Sequence, residues 1–99
     1  MDPLQLEMFV TSKDCNSVYK AAILLKRSPS EVKRAINSLE ALIDAKLFFK
    51  SHAELKLTFE GQMLYIKSLK ILDSWYIAQA LIHRLQESSA TQGKNCKFE

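Results

Sequence analysis

The segment from Ser28 to Ile43 constrains the fold more than any other part of this 99-residue sequence. Ser28 and Glu31 have the spacing of a capping box, and Pro29 takes the first helical position, where a missing N–H does no harm. Behind this start, apolar residues recur at steps of three and four, namely Val32, Ile36, Leu39 and Ile43. The pattern predicts a helix over about Pro29–Ile43 with one buried face.

Two shorter helices are predicted before it. Asp2 and Pro3 form a helix start, and this first helix should stop near residues 14–16. A second helix should run from residue 16 or 17 to about Leu25, with two alanines that let a neighbouring helix approach closely. Tyr19, in this second helix, is expected in the core or at its edge. About three residues then separate the second helix from the third, which is the spacing of a helix-turn-helix.

Residues 47–50 and 55–57 are short, β-prone segments, and we interpret them as a hairpin, the wing. Thr58 should cap a long helix that runs to roughly Gln86, since its only Gly is near its start and it contains no Pro. We therefore predict a mostly α fold, a winged helix-turn-helix of three helices plus a two-stranded β-wing, followed by a long dimerisation helix. The predicted divisions are 1–57 as the winged helix-turn-helix, 58–87 as a linker and dimerisation helix, and 88–99 as a polar tail or the start of a further domain.

The long helix has more apolar surface than one neighbour can cover. One line follows heptad-like steps, with Ser68 in a gap, and comprises Leu64, Ile71, Trp75, Ala78, Ile82 and Leu85. A second line comprises Tyr65, Leu69, Leu72 and Tyr76. One line can cover the domain's own core, whereas the other requires a second chain. We assign the first line to a dimer interface.

Positive charge is concentrated in the middle of the chain. The segment from Lys20 to Lys56 holds eight Lys or Arg and four acidic residues, a net charge of +4, whereas the whole chain carries +3 and the remainder therefore −1. A phosphate-binding surface needs such a concentration, although a solvated helix face can look the same. In a helix-turn-helix, the candidate DNA contacts are Lys26, Arg27, Ser28, Pro29, Ser30, Lys33, Arg34, Asn37, Lys50, His52 and Lys56.

Different roles are expected within this set. Arg34 and Asn37 are the preferred base readers. Four cations, Lys26, Arg27, Lys50 and Lys56, suit phosphate contacts better. His52 at the wing tip either touches the minor groove or has no role. The start of the third helix should point at the major groove, with backbone N–H groups left for phosphate.

Other classes of function have little support in the sequence. No nucleophile–base pair, metal cluster or Gly-rich phosphate loop is present, so neither an enzyme, a cofactor nor a metal site is expected. No apolar run is long enough to span a bilayer, and the N-terminus lacks the layout of a signal peptide, so cytoplasmic residence is expected. Cys15 and Cys96 have no metal-site or redox-motif spacing and are expected to be reduced thiols.

Three segments resemble the N-terminal domain of LysR-type transcription regulators: SVYKAAILLKRS, INSLEALIDAKLFFK and LKLTFEG. The second is similar to the family pattern Ile-x-x-Leu-Glu-x-x-Leu-Gly-x-x-Leu-Phe-x-Arg, and the third to Leu-Thr-x-Ala-Gly, which opens the family's linker helix. The resemblance implies a bacterial regulator that binds double-stranded DNA as a homodimer. Family members usually continue into an effector domain, so 88–99 would be the start of that domain and the chain part of a longer regulator. Its recognition helix, about Pro29–Ile43, would enter the major groove, with the wing on the flanking backbone.

The sequence departs from the family pattern at several positions. Pro29 stands where the family usually has a base-reading Gln, and Pro cannot make a bidentate contact with adenine. Lys33 replaces the usual Ser and adds a cation able to reach guanine or phosphate. Asp44, Lys50 and Glu60 replace the usual Gly, Arg and Ala. The departures leave open an alternative function, a LysR-like interaction protein that pairs through its long helix with a full-length regulator and modulates it.

Overall fold

The computed structural model describes residues 2–49 and 55–92. It confirms the mostly α, winged helix-turn-helix fold with a long C-terminal helix. The elements, in chain order, are α1 (Pro3–Cys15), α2 (Val18–Leu25), α3 (Pro29–Ile43), β1 (Phe48–Phe49), β2 (Lys56–Leu57) and α4 (Phe59–Gln92). The two strands pair antiparallel, with Phe48 opposite Leu57 and Phe49 opposite Lys56.

Each of the three short helices begins at a side-chain cap. Asp2 accepts from the Leu4 N–H at 3.0 Å, and Ser17 accepts from the Lys20 N–H at 3.2 Å. At α3 the capping box is complete, because the Glu31 N–H donates to Ser28 Oγ and the Ser28 N–H donates to Glu31 Oε1, both at 3.1 Å. These caps fix where α3 starts and therefore which of its residues face outward.

All three short helices end in left-handed backbone without a glycine. Asn16, Lys26 and Asp44 have φ values of 57°, 56° and 54°. Asn and Asp tolerate this conformation better than other residues, whereas for Lys it is strained. The strained position therefore lies at Lys26, in the turn of the helix-turn-helix.

The core has two adjoining clusters, both covered in part by Phe48. The larger one surrounds Phe9 of α1, whose ring centre lies 5.5 Å from that of Phe48 and 6.5 Å from that of Tyr65. The smaller one joins α2 and α3, where Ala22 and Val32 are almost fully buried. The alanine surface of α2 permits this close contact, so α3 is held rigidly with its polar face outward.

The start of α4 is attached to the wing. Thr58 caps α4, with its Oγ1 accepting from the Gly61 N–H at 2.9 Å, while the same hydroxyl donates to the Lys46 carbonyl oxygen. The Thr58 N–H also donates to the Leu47 carbonyl oxygen at 2.9 Å. Gly61 packs so closely that a Cβ there would overlap the Leu47 carbonyl oxygen. The wing and α4 are thus joined at one buried point.

The first half of α4 packs against α1. Leu72 and Ser68 are buried, and the Tyr65 and Tyr76 hydroxyls donate to carboxylates of Asp14 and Glu7 on α1. In the second line of the sequence analysis, Leu72 is buried and Tyr65 packs partly buried against the core, whereas Leu69 and Tyr76 are 44% and 46% exposed.

The first line divides at its N-terminal end. Leu64 packs partly buried against the Phe9 cluster, and Ser68 is fully buried, so these two positions also belong to the domain's own core. The reason is that neighbouring lines on one helix form a single broad face, and the small Ser68 lets α1 approach.

Beyond this contact, α4 projects from the domain, and the described part of the chain measures 57 × 25 × 19 Å. The helix runs to Gln92, six residues past the predicted end near Gln86, since no Gly or Pro interrupts it before Gly93. Within the described ranges, none of the helices combines the length and apolarity that crossing a membrane requires.

Candidate nucleic-acid interface

The exposed face of α3 carries two of the predicted base readers. Ser30, Arg34 and Asn37 are all exposed and follow one another at steps of four and three, so they lie on one side of the helix. The opposite side is buried through Val32 and Leu39. Arg34 and Asn37 are therefore neighbours on a rigid, outward-facing polar surface, as sequence analysis predicted.

Lys33 lies beside this surface, on the side of the wing. It borders an open cleft of about 560 Å³ whose lining also includes Val18, Ile36, Asn37, Glu40, Lys46, Phe48, Phe49 and Thr58. Arg34 instead borders a separate depression shared with residues of α1, including Gln5 and Met8. The two cations thus flank the exposed face of α3 from opposite sides.

The capping box leaves few backbone donors at the start of α3. Pro29 has no N–H, the Glu31 N–H is taken by Ser28 Oγ, and the Val32 N–H donates to the Ser28 carbonyl oxygen at 3.2 Å. The expectation of several N–H groups left for phosphate is therefore wrong. Any anion contact at this end depends on the Ser30 N–H and on side chains.

Arg27 is paired with an acid. Its guanidinium Nη1 lies 3.3 Å from Glu31 Oε2, and both side chains are 40% exposed. The Ser28 N–H, and then Arg27, lower the pKa of Glu31, although its partial desolvation opposes them. Glu31 therefore stays ionised at neutral pH, and Arg27 must share or exchange this partner to contact a phosphate.

The remaining predicted contacts are spread along the edge of the domain. Lys26 is exposed in the turn before α3, and Lys56 is exposed in β2, opposite Phe49. Lys50 and His52 fall outside the described residues. The predicted DNA contacts that the structure describes, from Lys26 to Asn37, thus lie together at the turn and on α3, with Lys56 apart from them.

Sequence analysis missed one participant on this face. Tyr19, expected in the core or at its edge, is 59% exposed, and its hydroxyl accepts a hydrogen bond from Lys33 Nζ at 3.1 Å. The two residues are fourteen positions apart and in different helices, so helical periodicity could not connect them. The only sequence signal was an aromatic residue beside two alanines that occupy the buried side of α2.

A second surface runs along one side of α4, from the half that packs against α1 into the part that projects. Ile71 and Trp75 are each 44% exposed, and Ile82 and Leu85 are 55% and 67% exposed, with Ala78 partly exposed between them. These side chains belong to the first predicted line. At the N-terminal end of that line, Leu64 and Ser68 face the core instead. Among the described residues, no group of three His, Cys, Asp or Glu side chains could hold a metal ion.

Comparison with known proteins gives a family match. The family model described as a bacterial regulatory helix-turn-helix protein of the lysR family matches residues 4–62. The chain is 36% identical over 88 residues to the HTH-type transcriptional regulator GltR and 32% identical over 87 residues to CitR, both of Bacillus subtilis. These matches cover 89% and 88% of this chain but only 29% and 30% of the relatives, so the chain spans less than a third of their length.

Solved structures agree with this match. The DNA-binding domain of BenM, in complex with catB site 1 DNA, has a TM-score of 0.81 at 26% identity, covering 87% of this chain and 96% of that one. The CbnR DNA-binding domain in complex with DNA has a TM-score of 0.75 at 25% identity, covering 89% and 98%. The matched regulators belong to a family of DNA-binding proteins that are not enzymes.

The region that the family model matches includes three features described above. They are the capped α3 with its polar outer face, the paired strands of the wing, and the close packing of Gly61 at the start of α4. The chain therefore belongs to the LysR family of regulatory helix-turn-helix proteins, and residues 4–62 are its helix-turn-helix domain.

Proposed function

We propose that this chain is the sequence-reading part of a homodimeric transcription regulator, with α3 in the major groove and the wing on the flanking backbone. The observation that carries the proposal is the exposed pair Arg34 and Asn37 on a helix whose other side is locked into the core. A rigid helix that presents a fork-shaped cation and an amide can read base edges, since Arg suits guanine and Asn suits adenine. The proposed regulator would bind genomic DNA in the cytoplasm.

Cations around this pair would supply affinity rather than sequence preference. Lys26 and Lys56 are exposed and compact charges, which suit phosphate contacts. Each phosphate that they neutralise would add about 0.9 to the slope of log affinity against log salt. Pro29 lacks the donors and acceptors of a Gln, so we expect weaker preference at the base pair beneath it.

The test is a binding-site selection from random duplexes, with parent and Arg34→Ala proteins at one fixed salt concentration. Arg34→Ala should flatten the preference at one base pair by roughly 5- to 150-fold, which corresponds to losing a bidentate guanine contact. Arg84→Ala is the matched control, because Arg84 is equally exposed but lies on the far part of α4. If parent and Arg34→Ala select the same motif equally well, Arg34 is not a reader.

The second chain of the proposed dimer would pack on the exposed apolar line of α4, comprising Ile71, Trp75, Ala78, Ile82 and Leu85. We leave Leu64 out of this surface because its side chain packs against the Phe9 cluster. The same surface could pair with the linker helix of a full-length LysR-type regulator, which is the alternative function. Mixing the labelled parent chain with such a regulator distinguishes the two functions. Mixed dimers that no longer bind the operator would favour the alternative.

A further inference from the structure

Tyr19 and Lys33 form a polar bridge between the two helices of the helix-turn-helix. Tyr19 lies in the first turn of α2, and Lys33 lies one turn into α3. The Lys33 ammonium donates to the Tyr19 hydroxyl at 3.1 Å and is 5.0 Å from the centre of the ring. Both side chains are exposed, so this bridge lies on the surface.

The bridge restrains a side chain that otherwise has many positions. Lysine carries a compact charge on a flexible four-carbon stem, so a free lysine near DNA distributes itself among phosphates. A lysine held at one point instead presents its remaining N–H donors in one direction. The Tyr19 hydroxyl accepts from Lys33 and still has its own hydrogen to donate to an acceptor on the DNA.

The bridge contributes little to the packing of α2 against α3. That contact is made by buried residues, including Ala22, Val32 and Ala35, and α3 has its own capping box. Tyr19 is 59% exposed, and both its hydroxyl and its ring contact Lys33. A purely structural role would therefore be small, which leaves the position of the Lys33 ammonium as the consequence of the bridge.

We infer that Tyr19 is a positioning residue that makes Lys33 a base reader, directing its ammonium to guanine O6 or N7 in the major groove instead of to phosphate. The inference rests on the proposed function, because it requires α3 to lie in that groove. It adds a specificity determinant in α2, outside the recognition helix.

The experiment is a double-mutant cycle in the same binding-site selection, using the 99-residue chain as parent, Tyr19→Phe, Lys33→Ala and the double variant. Tyr19→Phe keeps the ring and the charge of Lys33 but removes the hydrogen bond. It should reduce preference roughly two- to tenfold at one base pair, the same base pair that Lys33→Ala flattens. The double variant should match Lys33→Ala alone, because Tyr19 acts only through Lys33.

Two further measurements separate positioning from other roles. The slope of log affinity against log salt and the midpoint of thermal unfolding should be the same for Tyr19→Phe and parent, because the substitution changes neither a charge nor a core residue. Tyr76→Phe is the matched control, because it removes a hydroxyl that contacts Glu7 of α1, away from α3. It should leave base preference as in the parent.

Three results would overturn the inference: an unchanged motif with Tyr19→Phe, additive effects in the double variant, or a lowered midpoint that accounts for the change in binding. Failure of the proposed function looks different, because the parent itself would then select no motif. In that case the inference falls with it.

Discussion

At the scale of single residues, Lys26 combines a backbone cost with an exposed charge in the turn before α3. Its φ of 56° places a long side chain in the left-handed region, and its N–H caps α2 by donating to the Ala22 and Ile23 carbonyl oxygens. Folding does not require a lysine here, because glycine adopts this conformation with less strain. The lysine is therefore better explained by its exposed charge beside α3.

Replacing Lys26 by Gly should separate these two effects. We expect the free energy of unfolding to rise by about 0.5–1 kcal/mol, since relief of left-handed strain exceeds the extra chain entropy of glycine. Affinity for all duplexes should fall alike, with a salt slope smaller by about 0.9. Urea unfolding measures the free energy of unfolding, and titration with duplex DNA at several salt concentrations measures the affinity and its salt slope. Lys26→Asn is the control, with the same loss of charge and a smaller gain in stability; a Gly variant no more stable than parent would contradict the strain argument.

At the scale of elements, the joint between the wing and α4 depends on a glycine. A methyl group at Gly61 would overlap the Leu47 carbonyl oxygen, which already accepts from the Thr58 N–H. Gly61→Ala should therefore lower the free energy of unfolding by about 1–3 kcal/mol, despite alanine's better helix propensity. Gln62→Ala, at the exposed neighbouring position, is the control and should be neutral or slightly stabilising in urea unfolding. Equal stability of both variants would show that the joint can shift.

The contact between α1 and α4 should respond to alkaline pH. The hydrogen bond to Asp14, with burial and the negative charge of Asp14, raises the pKa of Tyr65 above its ordinary value of 10.0. The folded state therefore holds this proton more tightly than the unfolded state. Its contribution to stability is complete below pH 10 and is lost as pH rises through the folded pKa.

Urea unfolding across this pH range gives the check. The parent should lose stability above pH 10 more steeply than Tyr65→Phe, which has no proton to lose at this position. Tyr76, whose pKa is also raised by burial and by Glu7, remains in both proteins and leaves a shared residual slope. Parallel curves for parent and variant would mean that the Asp14 contact does not couple to folding.

The limits of sequence analysis also follow from the elements. The helix starts were predictable because capping is local: Ser28 and Glu31 recognise each other within one turn. Which apolar residues of α4 face α1 was not predictable, because periodicity gives two adjacent lines and does not indicate which one contacts α1. Leu64 was assigned to the dimer line for that reason, with Ser68 in a gap of the line. The Tyr19–Lys33 bridge depends on how two helices cross, which no spacing within either helix specifies.

At the scale of the whole molecule, α4 leaves an exposed apolar surface beyond its contact with α1. Trp75→Glu with Ile82→Glu should give monomers, since two charges at a helix-pairing surface remain unpaired after burial. Sedimentation velocity at micromolar concentration distinguishes the species. Gln62→Glu with Ala80→Glu adds the same charge on the opposite side of α4 and should leave the dimer intact. A parent chain that sediments as a monomer would refute pairing through this helix.

The joint at Thr58 and Leu47 gives α4 the mechanical properties of a lever. A helix of 34 residues is about 51 Å long, and the Thr58 N–H at its start donates to the carbonyl oxygen of Leu47, the residue before β1. Because the first half of α4 is packed against α1, moving the far end sideways by about 4 Å would tilt α1 and α4 together by about 5°. Because the joint is buried and too tight for a methyl group, that tilt passes into the wing instead of being absorbed by slack. Small displacements far from α3 would thus change the angle at which the wing meets its target.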